Sequence, residues 1–344
     1  MRPSFFHHLH PPTIPARQAQ FRYTLGAGGI SVFLILVLIV TGVLEIFYYV
    51  PTPEKAAESI QNLTFLVPYG ALVRGLHYWA AQILVVVALV HLLRVLFTGG
   101  YAKPRRFNYL LGLGLLVSIL FLDFTGYVLR WDEGIRWALV AGTNLVKTIP
   151  GLGEGLYRFV MGGYEANEGT LIRFYAWHIF GLTLVLTGVG AWHLFRVRRD
   201  GGIAVPPPTL RENQSRISRN ELVRREVLAM ILVAGVLILV AATLPAPIAA
   251  PMASQPANGI SGEARAPWFF LWVQQLLRWG DPFILGVLIP LGVLAALAAI
   301  PYILPAPRPE ELGHWFPKDG RLTQILTAAI LAGSVALTIL ALLT

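Results

Sequence analysis

Seven stretches of the chain are continuously apolar for about 20 residues or more, the length a helix needs to cross a hydrocarbon core about 30 Å thick. They run approximately over residues 25–50, 75–97, 109–129, 174–195, 227–250, 282–305 and 322–344. The pattern predicts an all-α fold, a polytopic transmembrane helix bundle of seven spans. Two connections, 130–173 and 251–281, are long and rich in Trp, Phe, Gly and Pro; long structured loops on one face of a bundle point to a site there. Within the first of them, Gly134–Val146 has the periodicity of an amphipathic helix lying at the interface. After the fourth span the run D-G-G-I-A-V-P-P-P-T-L-R-E-N-Q-S-R turns abruptly polar and Pro-rich, and is expected to link a four-helix unit to a three-helix unit. The expected organisation is an N-terminal arm at 1–24, a four-helix core at 25–205, a linker at 206–221 and a three-helix domain at 222–344. The arm is polar and Pro-interrupted where a signal peptide would be apolar, and His7, His8 and His10 are read as part of its exposed surface.

Composition sharpens this. Of 344 residues, 56% are hydrophobic and 13% charged, and mean hydropathy is +0.63, which excludes an ordinary soluble protein, a collagen and a disordered chain. With no Cys, disulfides, iron–sulfur ligation, zinc thiolates, a catalytic thiol and thioether-linked haem are excluded. The net charge of +9 is read as cytoplasmic loops and contacts with anionic membrane lipids, with no nucleic-acid role. Eighteen of the 27 Lys and Arg fall on the side of the N-terminus and nine on the other. The positive-inside rule therefore predicts a cytoplasmic N-terminus; the membrane is expected to be a bacterial inner (plasma) membrane.

Four of the eight histidines lie within spans: His77 and His91 on the second, His178 and His193 on the fourth. Imidazole in lipid is costly and tends to mark function. Fourteen residues of helix advance about 21 Å and rotate about 1400°, some 40° short of four turns, so His77 and His91 share a face. The other pair is spaced by fifteen, about 60° past four turns, which requires a modest helix twist. Both spans run from outside to inside, so His77 meets His178 at an outer level and His91 meets His193 at an inner one. Paired imidazoles without Cys suit the axial positions of a haem iron; the plainer alternative is hydrogen bonding between helices. Glycines repeat the period: Gly28 and Gly42 on the first span, Gly112 and Gly126 on the third, each fourteen apart. Missing side chains there let a flat macrocycle approach the backbone. Arg74 and Arg94 stand where haem propionates would emerge, as carboxylate partners or as side chains snorkelling to the interface.

The stretches R-G-L-H-Y-W-A-A, V-H-L-L-R-V-L-F-T-G-G-Y, F-T-G-Y-V-L-R-W-D, T-N-L-V-K-T-I-P-G-L-G and T-L-I-R-F-Y-A-W-H cover much of residues 20–205. In them the sequence resembles cytochrome b of the Rieske/cytochrome b complexes, most nearly the chloroplast and cyanobacterial form with its three-helix subunit IV fused at the C-terminus. The resemblance implies a four-helix di-haem core, two non-covalent b-type haems and quinol oxidation at an outer site. One electron then goes to a Rieske iron–sulfur protein and on to cytochrome c or a similar acceptor; the other crosses both haems to an inner quinone site, coupled to proton translocation. It implies a homodimer within a multisubunit complex. Under it His77 and His178 ligate the outer haem, His91 and His193 the inner one. Tyr127 and Arg173, with Trp268 and Phe269, fall on motif positions of the outer quinol pocket. Two departures stand out. The family's P-E-W-Y motif is here Ala266, Pro267, Trp268, Phe269, so the Glu that takes a quinol proton is missing, and Glu263, Asp132 or Glu133 is the expected substitute. The family's P-W is Arg130–Trp131, for which no role follows from sequence.

Asp200, Arg225 and Glu226 are candidates at the inner quinone site, each equally readable as interfacial charge. Glu45 and Asp123 are acids at membrane depth, with proton transfer, redox tuning and simple hydrogen bonding all open. Two other readings remain: a haem-b anchor of a hydrogenase or formate dehydrogenase, and a proton or solute transporter, although the internal repeat expected of a transporter is not found.

Overall fold

The computed structural model describes residues 12–205, 215–252 and 265–343. The spans are α1 (Ala27–Ile46), α3 (Gly70–Phe97), α4 (Arg106–Leu129), α7 (Glu168–Arg199), α8 (Arg219–Thr243), α10 (Ile284–Ile303) and α11 (Arg321–Leu343). Shorter helices fill the connections: α2 (Ala56–Phe65), α5 (Glu133–Lys147), α6 (Gly153–Met161) and α9 (Leu271–Leu277). Among the described residues, seven helices are long and apolar enough to cross a membrane, and α5 coincides with the amphipathic segment expected from sequence. Ile231, Leu239 and Ile325 are each more than 60% exposed. An outer surface this apolar needs hydrocarbon around it, and the backbone within it is satisfied helically, as lipid demands. The chain is a multi-pass membrane protein.

The fifth span differs from its sequence expectation at both ends. It starts at Arg219 because Ser218 caps it, its side chain accepting from the Glu221 N–H. It stops at Thr243 because Pro245 and Pro247 follow, and Pro cannot continue a helix. The arm and linker also depart from the all-α expectation: β1 (Thr13–Pro15) pairs antiparallel with β2 (Arg216–Ser218), Ile14 opposite Ile217. Arg216 fastens the pair, donating to Thr13 Oγ1 and to the Thr13 carbonyl, both at 2.8 Å. Residues 1–11 of the expected arm and 206–214 of the expected linker lie outside the described residues.

α1 lies along α3 and α4 along α7, while α3 and α4 join the two pairs. Leu34, Leu84, Ile119, Leu186 and Leu237, one from each of α1, α3, α4, α7 and α8, meet in a common buried cluster. The C-terminal helices therefore pack into the four-helix unit. α8 approaches α3 so closely that a Cβ at Gly75 would lie 2.9 Å from the Ala241 carbonyl oxygen. At the opposite end Tyr109 donates to the Leu297 carbonyl at 2.8 Å, and Tyr101 bonds Thr323 at 2.9 Å.

After α8 the chain forms a strap, 244–252, across the ends of the core helices. Trp79 Nε1 donates to the Leu244 carbonyl at 2.8 Å, and Arg74 donates to the carbonyls of Ala246 and Pro247. The Glu133 N–H reaches the Ala250 carbonyl at 2.9 Å. Asp132, 2% exposed, accepts from the Ala249 N–H at 3.1 Å and forms an ion pair with Arg130 at 2.7 Å. Removing one partner of a buried pair typically costs about 3–5 kcal/mol, whereas replacing both with apolar groups costs far less. Asp132→Ala is therefore expected to lower the thermal unfolding temperature of the detergent-purified protein clearly, and the double replacement Arg130→Met/Asp132→Leu to lower it less. An unchanged melting curve for Asp132→Ala would contradict the strap's role.

Candidate functional site

Each of the four membrane histidines faces one of the four glycines. A Cβ built on Gly42 would lie 3.1 Å from His77 Cε1, and on Gly126 2.7 Å from His178 Cε1. On Gly112 it would lie 3.2 Å from His193 Cε1, and on Gly28 3.8 Å from His91 Cε1. Thus α1 backs the histidines of α3, and α4 backs those of α7. The order reverses along each pair, as antiparallel neighbours require. Side chains at these positions would press on the imidazole rings, so the glycines give the histidines their room.

At the His77 level the two imidazole centroids stand 6.3 Å apart. A metal–imidazole bond of about 2.0 Å, plus about 1.1 Å from ring nitrogen to ring centre, places two axial imidazoles roughly 6.2 Å apart across one metal ion. The Nδ1 atoms of both rings are held by hydrogen bonds. Thr41 Oγ1 donates to the Val37 carbonyl at 2.8 Å and faces His77 Nδ1 at 2.9 Å. With its proton committed to the backbone, the hydroxyl accepts from Nδ1–H. His178 Nδ1 faces Thr125 Oγ1 and the Leu122 carbonyl, both at 3.0 Å. Anchoring Nδ1–H in this way leaves Nε2 as a bare lone pair, the usual outer-shell arrangement of a ligating histidine. At the His91 level, His193 Nδ1 donates to the Asn108 carbonyl at 3.1 Å, while His91 Nδ1 is buried without a partner. Among the described residues no three His, Cys, Asp or Glu converge on a bare metal ion. Paired imidazoles need a group that brings its own remaining donors, as a haem does.

The fifteen-residue spacing on α7 is accommodated by the backbone. Residues Trp177–Gly181 form a π-turn, in which the Leu182 N–H reaches back to the Trp177 carbonyl. A π-turn absorbs one extra residue, so His178 and His193 are set as if fourteen apart, in register with His77 and His91. Thr183 Oγ1 donates to the His178 carbonyl at 2.6 Å, satisfying an acceptor at the distorted turn.

A cavity of about 340 Å³ opens at the His77 level, lined by both histidines, Gly42, Gly126, Glu45 and Asp123. Arg74, Tyr127 and Arg130 also line it. Arg130 packs over the Tyr127 ring with 5.1 Å from guanidinium carbon to centroid, and Tyr127 donates to the Gly134 carbonyl at 3.1 Å. The residue that stands in place of the family's Pro thus joins the cavity wall to the strap. Tyr49 borders the cavity as well, stacked on Tyr175 at 5.6 Å and donating to the Leu129 carbonyl at 2.8 Å. Burial, reinforced by Tyr175, pushes its phenol above the usual range, so it stays neutral.

The other expected residues fall in different places. Arg74 reaches the cavity, but two of its guanidinium nitrogens bond the strap, and Arg94, 4% exposed, donates to the Ala204 carbonyl at 2.7 Å. Trp268 donates to Gln82 Oε1 at 2.8 Å and Phe269 joins the central apolar cluster. Arg173 is exposed, donates to the Gly169 carbonyl at 2.9 Å and does not line the cavity. Of the expected substitutes for the missing Glu, Asp132 is committed to Arg130 and Ala249, Glu133 is exposed at the start of α5, and neither lines the cavity. Glu263 lies outside the described residues. Among the inner candidates, Asp200 pairs with Arg196 at 2.9 Å and Arg225 with Glu221 at 2.9 Å. Thr41 and Thr125 were missed from sequence; the available signal was a Thr-Gly dipeptide recurring at 41–42 and 125–126.

Comparison with known proteins agrees with this geometry. The family model "Cytochrome b/b6/petB" matches residues 15–201, the stretch that holds all four histidines. "Cytochrome b6" of Heliobacterium mobile is 38% identical over 192 residues, 56% of this chain and 88% of that protein. "Menaquinol:cytochrome c reductase cytochrome b subunit" of Geobacillus thermodenitrificans is 36% identical over 175 residues, 51% of this chain and 78% of that one. The fold resembles a chain of "Hyperthermophilic respiratory Complex III" with a TM-score of 0.73 at 18% identity, covering 93% of this chain and 91% of that one. That last likeness extends over the three C-terminal helices, beyond the family match. A bundle whose histidines are paired across two helices and backed by glycines of two others belongs, with this sequence, to the cytochrome b/b6 family.

Proposed function

We propose that this chain is the di-haem cytochrome b subunit of a quinol-oxidising complex, carrying electrons across the membrane between two quinone sites. The observation that carries the reading is the repeated unit of facing histidines on α3 and α7, each backed by a glycine on α1 or α4, at two levels about 21 Å apart along the helices. His77 and His178 would hold one haem, His91 and His193 the other. Bound there, a haem would accept and pass single electrons.

The chain's own residues account for the rest. Thr41, Thr125 and the carbonyls of Leu122 and Asn108 keep Nε2 of three histidines bare. The apolar cluster around Leu84 and Ile119 excludes water between the levels. The His77 level, beside the cavity and the strap, would be the outer, quinol-oxidising end, with Tyr127, Trp268 and Phe269 near the substrate and the N-terminus in the cytoplasm of a bacterium. The quinol's two electrons require two one-electron acceptors, so a Rieske-type iron–sulfur protein and a cytochrome c or similar carrier are the expected partners, in a homodimeric assembly. α8, α10 and α11 complete the walls as a fused counterpart of subunit IV.

Anaerobic addition of a short-chain menaquinol to the purified complex tests this. Reduction of its b-type absorbance is expected. Haem that ignores quinol but is reduced under hydrogen or formate would replace this reading with that of a dehydrogenase or hydrogenase anchor.

A further inference from the structure

Oxidising a quinol releases two protons as well as two electrons, and a base must stand near the hydroxyls to take the first of them. The cavity at the His77 level, whose histidines would hold the haem, is also bordered by two carboxylates, Glu45 and Asp123. The two acids are held differently. Glu45 has a buried Oε1 that meets no hydrogen-bond partner. Asp123 ends a relay of three side chains from three segments of the fold. Trp268 Nε1 donates to Gln82 Oε1 at 2.8 Å, and Gln82 Nε2 donates to Oδ1 and Oδ2 of Asp123, both at 3.1 Å. An indole N–H can only donate. It therefore fixes the orientation of the Gln82 amide, and the NH₂ end has to face Asp123. The carboxylate is the receiving end on both oxygens, an arrangement that complements its proton-free, acceptor-only form.

Position supports the same role. Asp123 lies three residues before Gly126 and four before Tyr127, so the three share one face of α4 and line the cavity together. Trp268 belongs to the Ala266–Phe269 motif, in which Pro267 has no acid to offer. In this chain the carboxylate stands on α4 instead, bonded to that motif through Gln82.

We propose that Asp123 is the proton acceptor for quinol oxidation in this protein, with Gln82 and Trp268 as positioning residues. The inference rests on the quinol-oxidising reading above. In the step, one quinol O–H bond breaks and an O–H bond forms on an Asp123 oxygen, the second O–H proton leaves with the electron taken by the iron–sulfur partner, and the remaining electron would pass to the haem that His77 and His178 would hold. The neutral acid then releases its proton to water at that end of the bundle. Glu45 of α1, Tyr49 just beyond it, Arg74, His77 and Tyr78 of α3, Tyr127 of α4, Arg130 just after that helix, and Tyr175 and His178 of α7 are the other titratable side chains bordering the cavity.

The test uses the purified complex and a short-chain menaquinol. Asp123→Asn is expected to keep full haem content while quinol-driven haem reduction slows at least about a hundredfold, the contribution of a placed general base. Asp123→Glu should recover part of the rate. The quinol-minus-oxidised infrared difference spectrum should show a protonated-carboxyl C=O band in the wild type that Asp123→Asn lacks and Trp268→Phe shifts. Should Asp123→Asn fail to assemble, Trp268→Phe, which frees Gln82, decides: an unmoved band and rate overturn the proposal. Wild-type rates in Asp123→Asn, or loss of the band in Glu45→Gln instead, overturn it as well. A wild-type complex whose haem is not reduced by quinol would refute the quinol-oxidising reading itself, a result distinct from each of these.

Discussion

His178→Ala is expected to leave a complex with about one b-type haem per chain and no quinol-driven haem reduction, since under the proposed assignment it would remove one of the two histidines that hold the haem at the level nearest the cavity. Under the proposed assignment an alanine side chain would leave the group with His77 alone, without the second imidazole of the 6.3 Å pair. His91→Ala should also lose about one haem, with a different kinetic consequence. The haem at the His77 level remains and is still reduced once by quinol, but electrons have no path onward and turnover stops. Haem stoichiometry together with single-turnover reduction of the two variants separates the levels. Equal loss of quinol-driven reduction in both would contradict their assignment to the entry and exit of one electron path.

The four glycines form a graded series. Carbon atoms pack at about 3.5–4.0 Å. A Cβ at Gly126 would stand 2.7 Å from His178 Cε1, against 3.1 Å at Gly42, 3.2 Å at Gly112 and 3.8 Å at Gly28. His178 has little room to retreat, because Thr125 and the Leu122 carbonyl hold its Nδ1. Gly126→Ala is therefore expected to loosen the haem at the His77 level most, by about 10–100-fold in retention, the usual scale when a ligand's supporting shell is disturbed. Gly42→Ala and Gly112→Ala should fall between, and Gly28→Ala should behave almost as wild type. The measurement is haem retained after graded detergent washing. An effect of Gly28→Ala as large as that of Gly126→Ala would show that the glycines serve something other than the histidine rings.

The site was legible in sequence to the extent that one helical period wrote it. Fourteen-residue spacings on three spans, with a near match on the fourth, announced that the residues share faces and levels. What the period did not carry was how closely each glycine approaches its histidine ring. Nor did it show how a fifteen-residue spacing comes into register, because a π-turn is a slip of a few hydrogen bonds at Trp177–Gly181 with no compositional mark. Thr41 and Thr125 were hidden for a related reason: threonine in a helix ordinarily bonds its own backbone, as both do here, and the second use of the hydroxyl depends on a neighbouring helix.

Long-range polar links were the least legible. Asp132 with Ala249, and Trp268 with Gln82 and Asp123, unite segments that only folding brings together. Asp132, expected from sequence as a substitute for the missing Glu, is held by Arg130 and the Ala249 N–H and anchors the strap. The spans themselves were recovered within a few residues, apart from the fifth, where Ser218 and the prolines after Thr243 shift the helix toward the N-terminus.

The most direct measurement of the central claim is the pyridine haemochrome of the purified wild-type complex, quantified against this chain. The paired-histidine account predicts a non-covalent b-type spectrum at about two haems per chain. One haem per chain would contradict the two-level arrangement, and a folded preparation without haem would return the four histidines to hydrogen bonding between helices.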